Sequence, residues 1–344
     1  MNQTFASDVT NRINELLSSV RFSHHLSREF VEPVRELAQG GKRTRALFVA
    51  AGWEAAGGED PLPLHAGTAV ELYQLSALVH DDLIDHATTR RGTDASHVGF
   101  AKIHARESMR GIADEFGTAA TIVLGDYLLS LAMEEMAVAE AVSDEARSAG
   151  MRLFATMTAE TAFGQYLDIR AENVPLSPDV EEATDSALAV LLHKSARYSV
   201  ESPLLLGATL RGADHATLTA LSKVGLPLGE AFQLRDDDLG IFGKPELTGK
   251  PVGSDWSEGK RTVLLALTRA GLDVSNLANA DALLGSPLDA QQARRVQELV
   301  EKSGARELHE RMITRREDAA LEAAEHIDTP ILHSLIYQLI GRDS

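Results

Sequence analysis

Leu78-Val79-His80-Asp81-Asp82-Leu83-Ile84-Asp85 ends a segment, residues 64–85, whose apolar positions recur at helical spacing. Residues four apart share a helix face, so Asp81 and Asp85 project together, about one turn or ~6 Å apart along the axis. What precedes them is apolar: Leu72, Leu75, Leu78 and Val79. Three carboxylates at the negative end of a helix dipole repel one another unless a cation joins them. Mg²⁺ favours one or two carboxylates together with substrate phosphate oxygens, so the cluster suits it. A solvated helix end would read the same way, and this DDxxD spacing arises by chance in roughly one chain in ten. Phe232-Gln233-Leu234-Arg235-Asp236-Asp237-Asp238-Leu239-Gly240 repeats the arrangement after Val224, Leu226, Leu228 and Ala231. Two apolar helices that each end in carboxylates could face one another across a cavity and hold several metals. A chance pair is far rarer than either alone.

The rest of the chain reads as helix. Ile13, Leu16, Leu17 and Val20 form one stripe, and Phe30, Val34 and Leu37 another. Further helical stretches are expected at 45–56, 116–141, 145–170, 178–200, 216–242, 290–303, 305–326 and 330–340. Alternating strands and an Asn-Gly hairpin signal are not evident. Leu and Ala dominate the apolar share while aromatics make up 5%, which favours helix over sheet. Two loops rich in Gly, Pro and charge stand out, 88–99 and 243–261. Without a linker or composition shift, 1–344 reads as a single domain, with a core at about 26–265 completed by C-terminal helices at 276–341. The absence of cysteine excludes a disulfide scaffold and thiolate metal sites and fits a reducing cytoplasm. A net charge of −18 argues against nucleic-acid partners. The N-terminus lacks a signal-peptide pattern. The most apolar stretch, 116–133, is interrupted by Asp126, so no transmembrane segment is expected.

Cations complement the acids. Gly40-Gly41-Lys42-Arg43-Thr44-Arg45 sets a glycine turn before a helix N-terminus, where backbone N–H groups already favour an anion. Arg90-Arg91-Gly92 follows Asp85 by five residues, and arginine grips phosphate with a two-pronged fork. Lys194, Lys250 and Lys260 add positive points. Each alone suits a solvated surface. Together with two acidic clusters they describe two polyanion sites, one bridged by metal and one held by Arg and Lys.

These motifs resemble those of the trans-polyprenyl diphosphate synthases, and the likeness runs from GGKRxR to the last acidic motif and its lysine loop. The resemblance implies an all-α orthogonal helical bundle around a deep apolar cavity (the isoprenoid synthase fold), usually as a homodimer. It implies Mg²⁺ as cofactor, about three ions per active site. Asp81, Asp82 and Asp85 match the first aspartate-rich motif, and Asp236 and Asp237 the second. Lys42, Arg45, Gln74 and Arg91 match contacts to isopentenyl diphosphate. Arg90 matches the arginine that binds the allylic diphosphate. Gln165 and Asp168 belong to a GQxxD element near the metals. Lys194-Ser195 resembles a Lys-Thr pair, Gln233 the glutamine before the second motif, and Lys250 and Lys260 the lysines that close over the diphosphate. Two departures stand out. Gly240 replaces the last Asp of the second motif, and Ala46 replaces a Pro after GGKRxR. Asp238 lies off the Asp236 face and reads as solvated.

The expected reaction joins isopentenyl diphosphate to dimethylallyl, geranyl or farnesyl diphosphate. Lys194, Ser195, Gln233 and Lys260 would stabilise the leaving group and the allylic cation. By family analogy, product length depends on what plugs the cavity beside the first motif. Ser76 and Ala77 are small, and Tyr73, a further turn down, is the expected floor, which favours geranylgeranyl diphosphate. Farnesyl and longer products are the alternatives, and ordinary helix packing is the competing account of Ser76 and Ala77. A terpene cyclase would not need the Gly40–Arg45 site, and an inactive partner subunit would have lost metal or phosphate residues. A metal-storing bundle would carry ExxH pairs, which are not evident.

Overall fold

Apolar residues three and four apart generate helices from Asn2 onward, and their inward faces bury much of the Leu, Val and Ala. The computed structural model describes residues 2–18, 24–243 and 252–340. Contacts group these into two units, residues 1–152 with 206–213, and residues 153–205 with 214–344.

The first unit contains α1 (Asn2–Ser18), α2 (Ser27–Gln39), α3 (Thr44–Ala55), α4 (Leu64–Ile84), α5 (Ser96–Arg106) and α6 (Ala113–Ala137), together with the start of α7 (Asp144–Asn173). α4 is buried nearly all round, through Ala66, Ala69, Val70, Leu72, Leu75 and Val79, and packs on α1, α3 and α6. That enclosure explains a helix lacking a polar face. α1 is tied down by Arg12, which donates to Glu135 on α6 at 2.8 Å; Glu135 also meets His65 Nδ1 at 2.8 Å. α6 is, among the described residues, the one helix long and apolar enough to cross a membrane by length and composition. Its inward side, including Leu124, Leu128 and Met136, packs on α4 and α5.

The second unit holds the rest of α7, α8 (Val180–Val190), a π-helical segment (Leu191–Glu201), the start of α9 (Ser202–Leu210), and α10 (His215–Phe242). It continues with α11 (Ser254–Glu258), α12 (Val263–Gly271), α13 (Val274–Leu283), α14 (Ala290–Lys302), α15 (Ala305–Ala324) and α16 (Pro330–Ile340). Aspartates begin four of these helices: Asp179, Asp214, Asp273 and Asp289 each accept from first-turn N–H groups.

Three local expectations change. A two-residue hairpin, β1 (Thr89–Arg90) with β2 (Thr93–Asp94), turns at Arg91-Gly92, both at positive φ, the conformation a tight hairpin turn requires. α5 begins inside the stretch expected to be loop. Its Gly99 and β-branched Val98 weaken the helical signal, but Phe100 and Ile103 bury against the core, with Phe100 edge-on to Phe116 at 6.3 Å. The helix expected at 178–200 is instead α8 running without a break into the π-helical segment.

His309 on α15 is fully buried and neither ring nitrogen has a hydrogen-bond partner among the described residues. Burial pushes its imidazole down to about 4, with Asp238 and Glu310 opposing the shift and Arg235 and Arg316 adding to it. Below about pH 6.5 the unfolded chain binds a proton that the folded chain refuses until about pH 4, so stability drops across that window. The loss approaches about 3 kcal/mol at its lower end. His309→Leu is expected to flatten this part of the profile, read from urea midpoints between pH 4.5 and 7. Equal slopes in both proteins would exclude His309 as the source.

Candidate active site

α4 ends where its carboxylates begin. Asp82 is 1% exposed while Asp81 and Asp85 are half-buried. The cation that such crowding demands comes from the neighbouring hairpin. Arg90 Nε donates to Asp82 Oδ1 at 2.6 Å, and its Nη2 lies 3.5 Å from Asp81. Burial opposes the charge on Arg90, but Asp82, then Asp81 and Asp85, outweigh it and hold the guanidinium above its ordinary pKa.

Arg91 goes the other way. Its guanidinium lies on the Gly40-Gly41 turn, where a Cβ on Gly41 would come within 3.0 Å of Nη1. Gly41 also sits at φ +101°, so glycine is required there twice over. Burial, then the positive charge of Arg43, with Arg90 and Arg45 contributing and Glu71 opposing, holds Arg91 below its ordinary pKa. Guanidinium groups crowded this way make an anion site. Lys42 is exposed and Arg45 half-buried at its edge. Arg43 was absent from the expected contacts and is 3% exposed. It donates to Thr10 Oγ1 at 3.0 Å and to the Ala38 carbonyl, and pairs with Glu71 at 3.6 Å. Glu71 in turn accepts from the Ala46 N–H. Arg43 therefore braces the turn that carries Lys42 and Arg45. Its burial at φ +54° is a property of the fold that the motif's spelling does not reveal.

Gln74 is half-buried on α4, two turns before Asp81. Tyr73 is 6% and Ser76 2% exposed, and Ser76 Oγ donates to the Gly125 carbonyl on α6 at 2.8 Å. Ala77 is half-buried.

In the second unit, α7 and the π-helical segment approach closely because Gly164 has no side chain; a Cβ there would lie 2.2 Å from the Lys194 nitrogen. Gly229 gives the same clearance to α10, with a Cβ falling 2.3 Å from the Ala196 carbonyl oxygen. Lys194 Nζ then reaches Asp168, which is 7% exposed. Ser195 donates to Gln233 Oε1, and Gln233 Nε2 donates to Asp237 Oδ1 at 3.0 Å. Gln165 Nε2 is buried with no hydrogen-bond partner among the described residues, an orphaned donor beside this network.

Asp237 is 8% exposed, and burial, followed by the nearby Asp255 charge, pushes its carboxyl well above the usual range. Asp236 is half-buried. Asp255 was not anticipated. A Cβ on Gly240 would lie 2.0 Å from Asp255 Oδ2, so this carboxylate occupies the space beside Gly240. Lys260 crosses over it, 3.9 Å from Asp255 Oδ1 and 2.8 Å from Glu258. Asp238 corrects the expectation of a solvated acid: it is 5% exposed and paired with Arg306 through two contacts at 3.0 and 3.1 Å. One residue beyond the Asp237 face still points inward in a helix packed on two sides. Lys250 lies outside the described residues.

The donors in both acidic clusters are carboxylate oxygens, the hard set that suits Mg²⁺. Among the described residues no three acidic, His or Cys groups converge into a metal cage. The set fits a metal that completes its shell with phosphate oxygens and water.

The polyprenyl synthetase family pattern matches residues 27–302. A geranylgeranyl diphosphate synthase of Mycobacterium tuberculosis is 32% identical over 310 residues, covering 88% of this chain and 80% of that protein. A (2E,6E)-farnesyl diphosphate synthase of the same species is 34% identical over 250 residues, covering 72% and 62%. The crystal structure of a geranylgeranyl pyrophosphate synthase from Corynebacterium glutamicum, complexed with isoprenyl diphosphate and magnesium, superimposes with a TM-score of 0.88 at 31% identity, covering 98% of this chain and 97% of that one.

Proposed function

The chain belongs to the polyprenyl synthetase family, and from that premise we propose that it extends allylic diphosphates with isopentenyl diphosphate to give geranylgeranyl diphosphate. It is a chain-elongating trans-prenyltransferase with the all-α isoprenoid synthase fold. The observation that carries the substrate reading is the Arg90–Arg91 hairpin, whose adjacent arginines serve an acidic cluster and a cationic one.

In this reading Lys42, Arg45, Gln74 and Arg91 hold isopentenyl diphosphate. Asp81, Asp82, Asp85, Asp236 and Asp237 would hold Mg²⁺, about three ions, whose chemistry when bound would be Lewis-acid stabilisation of the departing diphosphate. Arg90, Gln165, Asp168, Lys194, Lys250 and Lys260 bind the allylic diphosphate. Arg90 is already poised beside the carboxylates, and the spare Gln165 donor supplies a neutral hydrogen bond. Lys194 and Lys260 add fixed positive charge to the leaving group as the carbon–oxygen bond breaks. Ser195 and Gln233 turn their oxygen dipoles toward the allylic cation. The isopentenyl double bond, anchored at its diphosphate, attacks as a positioned group. Released diphosphate takes the final proton. Residues 1–344 are read as one catalytic domain, which the family match supports by spanning parts of both units.

A homodimer and a cytoplasmic location complete the proposal. Ile122, Val123 and Met133 leave an apolar stripe on the outer side of α6, suited to a second copy. The absence of cysteine agrees with a reducing compartment.

The test is product analysis. Purified protein is supplied with Mg²⁺, labelled isopentenyl diphosphate and each allylic primer, and the dephosphorylated products are sized. Geranylgeraniol as the main alcohol supports the reading; farnesol or a ladder of longer alcohols overturns the product assignment while keeping the chemistry. Ala77→Phe is expected to shift the product at least one isoprene unit shorter. Ser76→Phe is a poorer probe, because the Ser76 hydroxyl is seated on the Gly125 carbonyl and a ring there would push against α6. An unchanged product from Ala77→Phe would remove this position from length control.

A further inference from the structure

Glu160, Gly164 and Asp168 lie four residues apart on α7, so they share a face, and all three meet the π-helical segment. Gly164 is the saddle. Its Cβ would lie 2.4 Å from the His193 carbonyl carbon and 2.2 Å from the Lys194 nitrogen, so α7 bears directly on the peptide between them. From that peptide two consecutive side chains run opposite ways along α7. Lys194 Nζ goes to Asp168, one turn after the glycine, and His193 Nδ1 goes to Glu160, one turn before it, at 2.7 Å. A carboxylate only accepts, so Nδ1 carries the hydrogen of that bond. Phe163 stands edge-on to the imidazole at 5.8 Å and supports the plane of the ring.

Glu160 holds more than His193. The same oxygen, Oε1, accepts from Arg197 Nη1, four residues further along the segment. Arg197 Nε lies 3.5 Å from Glu201, which is 9% exposed and accepts from Ser222 Oγ on α10 at 2.6 Å. Side-chain contacts therefore run from α7 through the segment to α10 without passing through Lys194. Neither Glu160 nor His193 has a part in the reaction proposed above. Lys194, by contrast, has two demands on its charge: it is paired with Asp168 here, and it must serve the leaving diphosphate during transfer. When Nζ leaves Asp168, one of the grips that fix the rotation of the segment is lost. A π-helix is already held against a preference for tighter winding, so a grip that does not involve the lysine is needed at that moment. His193, the residue next to it, is where that grip is attached.

We propose that Glu160 is a positioning residue for the transfer step: through His193 and Arg197 it keeps the π-helical segment in register while Lys194 exchanges Asp168 for the allylic diphosphate. The proposal rests on the assignment of Lys194 to that diphosphate.

The test is a double-mutant cycle on the full-length enzyme, read as steady-state constants with Mg²⁺, isopentenyl diphosphate and farnesyl diphosphate, below the unfolding midpoint of every variant. Glu160→Ala is expected to lower kcat about tenfold and to leave the KM for isopentenyl diphosphate within about twofold of the parent. In a Lys194→Ala background the same substitution should cost less than about threefold, because there is then no lysine left to aim. His193→Ala should repeat the loss of kcat, and His193→Asn should recover most of it, since asparagine returns an N–H donor near the Nδ1 position. The two His193 variants also decide the matter if Glu160→Ala fails to fold. A lowered unfolding midpoint with parental kcat would make Glu160 a stabilising residue alone and overturn the proposal. A full tenfold loss in the Lys194→Ala background, or equal kcat in the two His193 variants, would overturn it as well. Lys194→Ala with parental kcat and primer KM is a separate outcome: it would refute the assignment of Lys194 itself and take the proposal with it.

Discussion

Asp81→Ala and Asp236→Ala are each expected to lower kcat by at least ~10³-fold while leaving the circular dichroism spectrum and unfolding midpoint close to those of the parent. Both carboxylates are half-buried, so neither is committed to the core. Their neighbours make worse probes. Asp82 is 1% exposed and bound by Arg90, so its removal strands a half-buried cation in addition to any loss at the proposed metal site. Asp237 is buried and holds Gln233, so its loss disturbs the Ser195–Gln233 pair too. Steady-state incorporation of labelled isopentenyl diphosphate at saturating Mg²⁺ and primer reads the effect. Turnover within tenfold of the parent in either variant would refute the assignment of that aspartate to the metal.

The second large effect should separate two adjacent residues. Arg91→Ala removes a guanidinium from the cationic cluster, and the KM for isopentenyl diphosphate should rise about 30- to 100-fold with little change in the KM for the allylic primer. Arg90→Ala should do the reverse, raising the primer KM and lowering kcat, because Arg90 serves the aspartates. Arg90→Lys should restore little, since one ammonium cannot span Asp81 and Asp82 as the planar fork does. If both alanine variants change the same substrate's KM, the division of labour at this hairpin is wrong.

Sequence reading reached the helical class and most long helices, because α4, α10 and α15 carry apolar residues at helical spacing and Asp214 caps the start of α10. It missed what depends on contacts between distant residues. α5 lacks good local propensity and forms because Phe100 and Ile103 find a core. The acids of both motifs were legible as letters, but their states were not. Asp238 was read as solvated from its angular offset alone, and only the docking of α15 supplies Arg306. Asp255 lies fifteen residues beyond Gly240, so no local spacing rule pairs them, though the Gly253-Ser254-Asp255 run within the 243–261 stretch was visible. Arg43 stands inside the basic motif like its neighbours, and only its left-handed backbone and burial reveal that it braces the turn.

The π-helical segment has a consequence for how this protein can change. A π-helix is an α-helix carrying surplus residues, each held against the segment's preference for tighter winding. Deleting one residue between Ser195 and Glu201 would let that winding relax. It would also turn the helical residues just before the cut, Lys194 among them, by about 100° relative to those after it. Lys194 would then swing off Asp168, which sits on α7 and does not turn with it. Random shortening here therefore offers a sturdier helix with a misaimed lysine, and selection for durability would run against selection for turnover at this one place in the chain.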